Sequence, residues 1–289
     1  MKRSLLEKIS ITLLKKGFTL KTLTRTCFDL LARKEHTILL LKILEDANAI
    51  PNKYAIEMKR IASYLQASPL IISQKAQSKL LDHVVYTRFD IFTVNPTTFL
   101  SAINHDLAFL QRDHAGLTAE IQGQKMKDQR EKEQLSLNNI AKKVGVSKRM
   151  VQRYESGDAK IGIQKAMRLY DVLGKKIFKT INILQPSKAI SSESASTFSK
   201  KYKHLGFEAS DTKSVPFDII AKKEKELILT KIGDKQKPQL KSVSSLIDAG
   251  KLMIIKDKHQ RDIPSLTKKE FMEFEKAREL IKFIKEFEE

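Results

Sequence analysis

The chain holds one cysteine, no tryptophan and, in 289 residues, only ten glycines and seven prolines. The single Cys27 excludes an intrachain disulfide and a cysteine-built zinc cluster, leaving a buried apolar thiol as its ordinary role. Six histidines show no metal-ligand spacing. No apolar run reaches the roughly 18 residues of a membrane span. The segment MKRSLLEKISITLLKKG has basic ends, but Glu7 and Lys8 break any signal-peptide core. It reads instead as an amphipathic helix bearing Leu5, Leu6, Ile9, Leu13 and Leu14. A soluble cytoplasmic chain with no membrane partner is expected. Hydrophobic residues make up 41% of it, enough for two or three domains and too many for disorder.

Acidic residues are scarce as well. Against 54 Lys and Arg stand 34 Asp and Glu, for a net charge of +20 and a pI near 9.8. Such a field favours nucleic acid or another polyanion. The excess is uneven. Residues 124–180 carry 15 basic and 6 acidic side chains, residues 1–115 carry 17 and 10, and residues 196–289 carry 21 and 16. A lysine-rich composition accounts for the flanks, but less readily for the centre.

Within that centre lies LSLNNIAKKVGVSKRMVQRYESG, Leu135 to Gly157. Ser136 is placed to cap a helix from Leu137 to Val144. Ile140 and Val144 form one apolar stripe, and Ala141 is small enough for a second helix to cross closely. Gly145 supplies the positive φ of a tight turn. Val146 then enters the core and Ser147 caps the second helix, which runs to about Glu155 with Val151 and Tyr154 facing inward. Ser156-Gly157 closes it. Met126 to Glu133 supports a preceding helix. Ile163, Ala166, Met167, Leu169, Tyr170 and Leu173, ending at Gly174, support a following one. Four or five short helices around one core fit this pattern. The alternative is a helical bundle with an ordinary solvated basic face.

Residues 121–180 resemble the Cro/C1-repressor type of helix-turn-helix domain, through Ala141, Gly145, Val151 and the Arg153–Gly157 run RYESG. The resemblance implies that Lys148, Arg149, Gln152 and Arg153 reach base edges in a DNA major groove. Lys142, Lys143, Ser147 and Lys160 become candidates for phosphate contacts. Where that family often places Gln at the start of the first motif helix, this chain has Leu137, followed by Asn138 and Asn139.

A second pattern flanks the first. Gly17–Ile43 and Gly206–Ile232 align without a gap at an offset of 189, with ten of 27 positions identical. Phe28-Asp29 pairs with Phe217-Asp218, and Lys42-Ile43 with Lys231-Ile232. More weakly, Leu70-Ile71-Ile72 pairs with Leu252 to Ile255, and helical patterns follow at Thr97–Leu110 and Lys268–Phe287. Each copy reads helix, loop, strand, turn, strand, helix, strand, helix, with short buried strands at Phe28–Ala32 and Ile38–Ile43 and at Phe217–Ala221 and Leu227–Ile232. The Ser-rich stretch Gln185–Thr197 reads as a flexible linker, and Asp113 to Gly116 marks the other boundary.

This repeat resembles the restriction-endonuclease-like fold, particularly archaeal Holliday-junction resolvases. In that family a strand beginning Pro-Asp precedes one ending Glu-x-Lys; Pro216-Phe217-Asp218-Ile219-Ile220-Ala221 is similar to the first. Asp29 and Asp218 survive, as do Lys42 and Lys231. The second carboxylate is replaced by Leu40 in one copy and Leu229 in the other. Glu7 is a candidate for the leading acid of copy one, and Ser196 stands near that place in copy two. Such nucleases hold Mg²⁺ between two or three carboxylates, and leucine cannot ligate a metal. The Asp–Lys pairs therefore read as salt bridges at strand ends or as repurposed phosphate contacts.

The reading is a multidomain α+β and α/β chain. A nuclease-like α/β repeat spans 1–115, an all-helical helix-turn-helix domain 121–184, a linker 185–197 and a second degenerate repeat 198–289. As a whole this arrangement resembles an archaeal family of helix-turn-helix transcriptional regulatory proteins. The expected function is sequence-specific recognition of double-stranded DNA in transcription regulation, at the nucleoid, with no catalytic residues, no cofactor and no metal. A homodimer and contacts with the transcription machinery are further candidate partnerships. The competing readings are a Mg²⁺-dependent nuclease for branched DNA and a DNA-tethered interaction scaffold.

Overall fold

A computed structural model describes residues 2–113, 116–157, 160–188, 195–234, 238–256 and 263–288. In chain order the elements are α1 Lys2–Lys15, β1 Thr19–Thr22, β2 Leu30–Lys34, β3 Thr37–Asp46, α2 Asn52–Leu65, β4 Ser68–Ala76, β5 Ser78–Lys79, β6 Val84–Arg88, β7 Ile91–Val94, α3 Pro96–Ile103, β8 Leu110–Asp113, β9 Gly116–Glu120, α4 Gly123–Lys132, α5 Leu137–Val144, α6 Lys148–Glu155, β10 Lys160–Gly162 and α7 Ile163–Leu173. Then come α8 Thr197–His204, β11 Glu208–Asp211, β12 Ile219–Lys223, β13 Glu226–Ile232, α9 Pro238–Leu246, β14 Gly250–Ile255, β15 Ser265–Thr267, α10 Lys268–Glu273 and α11 Ala277–Glu288. They form two compact units. One comprises Met1–Leu44, Ala49–Leu70 and Leu184–Glu289; the other comprises Glu45–Asn48 and Ile71–Ile183.

The first unit contains the repeat, and its two copies share their antiparallel strand pairing and several side-chain bonds. Strands β1, β2 and β3 run antiparallel, as do β11, β12 and β13; β14 then lies parallel to β13, and β15 parallel to β14. Gly17 at φ 83° and Gly206 at φ 84° turn the chain from helix into first strand. Lys34 Nζ donates to the Lys16 carbonyl at 2.9 Å, and its counterpart Lys223 Nζ donates to the Leu205 carbonyl at 3.3 Å. The stretch after each Gly-Phe, expected as loop, is an edge strand. On α1, Leu5, Ile9 and Leu13 are buried while Leu14 faces solvent. Copy two is filled by Tyr202, Phe207, Phe271 and Leu280, among others.

The two copies pack on one another inside this unit. Helix α2 of copy one lies against β12 of copy two, and α9 of copy two lies against β1 of copy one. Buried Glu57 on α2 accepts the backbone N–H groups of Lys213 and Ser214 at 2.5 and 2.8 Å. Cys27 is fully buried beside them, and its backbone N–H donates to the Ser214 carbonyl at 2.8 Å. Burial pushes its thiol well above the usual range, and the Glu57 charge adds to this.

The second unit sets β7, β6, β8, β9 and β10 side by side. The helix-turn-helix core is continuous with that sheet. Met126, Ile140, Val144, Val151, Tyr154, Leu169 and Leu173 share one cluster with Val84, Phe109, Leu110, Ala119 and Ile121. Phe109 stacks on Phe178 at 4.5 Å and on Tyr170 at 5.8 Å between ring centroids.

Several local expectations need correction. The helical pattern at Thr97–Leu110 ends at Ile103, and residues 110–113 are strand. The pattern at Lys268–Phe287 is two helices, interrupted at Phe274. Asp113 and Gly116 pair across the β8–β9 hairpin. His114 and Ala115, and linker residues 189–194, lie outside the described residues. The linker's near end is bonded to copy one, because Ser187 donates its N–H to the Ala67 carbonyl at 2.8 Å.

Candidate nucleic-acid interface

Local chemistry builds the helix-turn-helix as the spacing predicts. Ser136 Oγ accepts the Asn139 N–H at 3.1 Å and starts α5; Ser147 Oγ accepts the Met150 N–H at 3.2 Å and starts α6. Each cap satisfies a backbone donor that the helix cannot. Between them Gly145 takes φ 76°. Its left-handed backbone is what requires glycine; a Cβ there would stand 2.7 Å from Arg168 Nη1 and displace the tip of that side chain. Arg168 reaches back from α7 and donates to the Val144 carbonyl at 3.3 Å, tying off the end of α5.

Helix α6 is fixed from behind by an ion pair. Arg130 of α4 donates from Nε and Nη2 to the two Glu155 carboxylate oxygens, at 2.5 and 3.2 Å, and from Nη1 to the Leu135 carbonyl at 3.0 Å. Both side chains are about 11% exposed. The bond to Glu155 holds the Arg130 pKa above its usual value. Gly123 begins α4 so close to the end of α6 that a Cβ would fall 2.1 Å from the Glu155 carbonyl oxygen.

The face that remains outward is basic. Lys148, Arg149, Gln152 and Arg153 are all exposed on α6, and Val151 and Tyr154 are buried beneath them. Arg149 lies three residues before Gln152 and four before Arg153, so the three share one side of the helix. Lys142 and Lys143 are exposed at the end of α5, and Ser147 at the cap. Lys160 is exposed but lies in β10, opposite Glu120 of β9, and has an interaction of its own. Leu137 leans on the core. Of the apolar pattern on α7, Met167 is 40% exposed, and Tyr170 is 37% exposed while its ring stacks on buried Phe109.

Sequence reasoning missed Arg130, Gly123 and Arg168. A charged residue in a charged helix carries no mark of its partner, and the RYESG run alone hinted that Glu155 is more than surface. Strand β10, three residues long, was equally silent.

The nuclease-like positions are also closely matched. Asp29 Oδ2 accepts the Ile43 N–H at 2.8 Å and Asp218 Oδ2 accepts the Ile232 N–H at 2.7 Å. Lys42 pairs with Asp29 at 3.3 Å, and Lys231 pairs with Asp218. Lys2 adds a second ammonium to Asp29 at 2.9 Å. Leu40 and Leu229 are fully buried. Glu7, the candidate leading acid, is exposed and paired with Arg3 at 3.3 Å. Ser196 caps α8 and donates to Asp211 at 2.5 Å. Among the described residues no three His, Cys, Asp or Glu side chains gather as a metal-holding group. One carboxylate already neutralised by ammonium is a poor donor set for Mg²⁺.

Fold and site together define a helix-turn-helix protein joined to a PD-(D/E)XK-type module. Comparison with known families agrees: residues 2–107 match a profile described as a PD-(D/E)XK superfamily domain, and residues 126–179 match one described as a helix-turn-helix. Three relatives are provisionally named HTH-type transcriptional regulatory proteins. One from Pyrococcus abyssi is 30% identical over 221 residues, covering 73% of this chain and 70% of its own. One from Methanocaldococcus jannaschii is 28% identical, covering 92% and 90%; one from Methanosarcina barkeri is 29% identical, covering 99% and 97%. The chain belongs to this family of archaeal HTH-type transcriptional regulatory proteins. No solved structure matches it. Among the described residues no helix is long and apolar enough to cross a membrane.

Proposed function

We propose that the protein is a sequence-specific DNA-binding regulator of transcription that inserts α6 into the major groove. The observation that carries this reading is the rigidly held, doubly capped α5–α6 pair with Lys148, Arg149, Gln152 and Arg153 on its outward face. Arginine and glutamine suit the paired acceptors and donors of guanine and adenine edges. Lys142, Lys143, Ser147 and Lys160 serve as phosphate contacts that set the register. The relatives' names support the regulatory role.

In this proposal the nuclease-like copies do not cleave DNA, because Leu40 and Leu229 stand where the second carboxylate is needed. Selection from random duplexes tests the proposal. An enriched motif is expected, with Arg149→Ala losing base preference and Lys143→Ala weakening all sequences alike. Recovery of no motif would reject specific recognition.

A further inference from the structure

Three unfavourable features gather around the end of β3 in the second unit. Strands β4 and β5 form a tight hairpin in which Lys75 stands directly opposite Lys79. Like charges so placed destabilise a strand pair. Strands β6 and β7 form another hairpin, with Arg88 opposite Ile91 and the two-residue turn Phe89-Asp90 between them. Both turn residues are left-handed, Phe89 at φ 49° and Asp90 at φ 59°. Such a turn favours Asn-Gly, and a bulky aromatic there is an outlier. The third feature is Arg88 itself, whose Nε is buried without an acceptor.

Asp46, the last residue of β3, ties the two hairpins together. Its carboxylate accepts the Asn48 N–H at 2.9 Å and, from the tip of the β4–β5 hairpin, the Gln77 N–H at 3.2 Å. The Asn48 bond does most to hold the Asp46 pKa below its usual value, and the Lys75 and Arg88 charges act in the same direction. Both cations therefore stand within electrostatic reach of one carboxylate that backbone donors already engage. Glu45 and Asp90, the adjoining acids, have interactions of their own. Among the described residues no hydrogen bond or ion pair engages Lys75, Lys79 or the Arg88 guanidinium. Arg88 lies instead over the Phe89 ring, 4.8 Å from its centroid. Both lysines are exposed. A bound polyanion would offset all of this, by screening the opposed lysines and giving the guanidinium its acceptors.

We propose that Lys75, Lys79 and Arg88 bind the sugar-phosphate backbone of duplex DNA beyond the base pairs that α6 reads. The proposal rests on the DNA reading above. The cluster belongs to the same compact unit as the helix-turn-helix. Val84 and Tyr86 of β6 pack in the helix-turn-helix core. Arg88 follows Val84 by four strand residues, or about 13 Å. The cations are thus carried on strands rooted in that core, outside the pair of helices that sets the register. Two ammoniums and a forked guanidinium suit phosphate oxygens, which position a duplex without reading its sequence. Three cations spread over two hairpins fit a chain of phosphates better than a single ion. The strained Phe89 serves as the platform that keeps the Arg88 fork in place.

Binding of the full chain to the selected duplex over a range of salt tests it. The duplex is made at two lengths, trimmed to the motif and extended by about one helical turn on each side. On the extended duplex, Lys75→Ala with Lys79→Ala should make the slope of log affinity against log salt shallower by about 2, and Arg88→Gln by about 1. Base preference should stay as in the wild type, in contrast to Arg149→Ala. On the trimmed duplex these variants should match the wild type. Phe89→Gly removes the ring but relieves the left-handed backbone. It should weaken binding as Arg88→Gln does, without lowering the thermal midpoint. Circular dichroism checks that each variant is folded. Wild-type slopes in both the lysine and Arg88 variants would overturn the proposal. So would an equal deficit on both lengths, which would mark a general effect of charge. Failure of the wild type to bind any duplex would instead overturn the DNA reading, and this proposal with it.

Discussion

Arg33 and Lys222 hold the same position in the two copies of the repeat, and each reaches the end of a helix in the other copy. Arg33 Nη1 donates to the Leu246 carbonyl at 2.9 Å, and Lys222 Nζ donates to the Tyr64 carbonyl at 3.2 Å. The last carbonyls of a helix lack intrahelical donors and carry its negative end, so a cation there satisfies a bond and a dipole together. The exchange is reciprocal, and the copies form a two-fold-like pair within one chain. Such a pair closes, in one polypeptide, a surface that a single-copy protein would offer to a second molecule.

Glu57 is the most consequential group in that junction. It is buried and accepts two backbone N–H groups, and each bond to a charged group contributes about 1.5–3 kcal/mol. Glu57→Ala should therefore destabilise the first unit by about 3 kcal/mol, seen as a lower urea midpoint. Cys27 gives a second readout. Its buried, high-pKa thiol should resist a thiol reagent in the wild type and label faster in the variant. Unchanged labelling would mean that Glu57 does not hold the copies together.

Gly145 and Gly157 separate the left-handed backbone from the Arg168 contact. Both have φ near 80°, at 76° and 79°. A Cβ at Gly145 meets Arg168, while a Cβ at Gly157 meets nothing within 4 Å. Gly157→Ala should carry only the left-handed backbone cost, about 1–2 kcal/mol. Gly145→Ala should cost more and also release the Arg168 bond to Val144, so its DNA binding should fall further than its stability alone explains. Equal effects of the two substitutions on thermal midpoint and affinity would show that the Arg168 contact contributes nothing.

What could be read in the sequence divides along physical lines. The caps Ser136 and Ser147, the turn at Gly145 and the inward Val151 and Tyr154 were legible because each acts over three or four residues of chain. The repeat was legible because Asp29 and Asp218 make the same bonds in both copies and so kept their spacing. Contacts between distant segments left no such mark. Arg130 and Glu155 are 25 residues apart, and Glu57 meets a loop more than 150 residues away. The exposure of Met167 was also hidden, since the apolar stripe of α7 is wider than the face the core uses.

The Arg130–Glu155 pair should govern the position of α6. Removing one member of this part-buried pair leaves the other's bonds unmade and should cost about 1–3 kcal/mol. Arg130→Ala and Glu155→Ala should each loosen α6 and reduce DNA affinity, although neither residue lies on the basic face. The double variant should lose less than the sum of the two. A double-mutant cycle on the thermal midpoint checks this, and strict additivity would show that the two side chains act separately.

Asp211 predicts a pH dependence for copy two. Burial pushes its carboxyl up. The Ser196 hydroxyl and N–H, the Ala195 N–H and the Ser199 hydroxyl outweigh that and hold its pKa below the usual value. In the unfolded chain the group titrates near 3.9. A carboxyl depressed by folding binds fewer protons in the native state, so its stabilisation is complete above about pH 4. It is lost as pH falls through the lower folded value. Asp211→Asn removes the titrating group but leaves an amide oxygen to accept some of these bonds. Wild type should therefore exceed the variant in urea stability at pH 7, and the gap should narrow steadily below pH 4. A gap that stays constant down to about pH 2 would show that the bonds to Ser196 and Ser199 do not depend on the carboxylate charge.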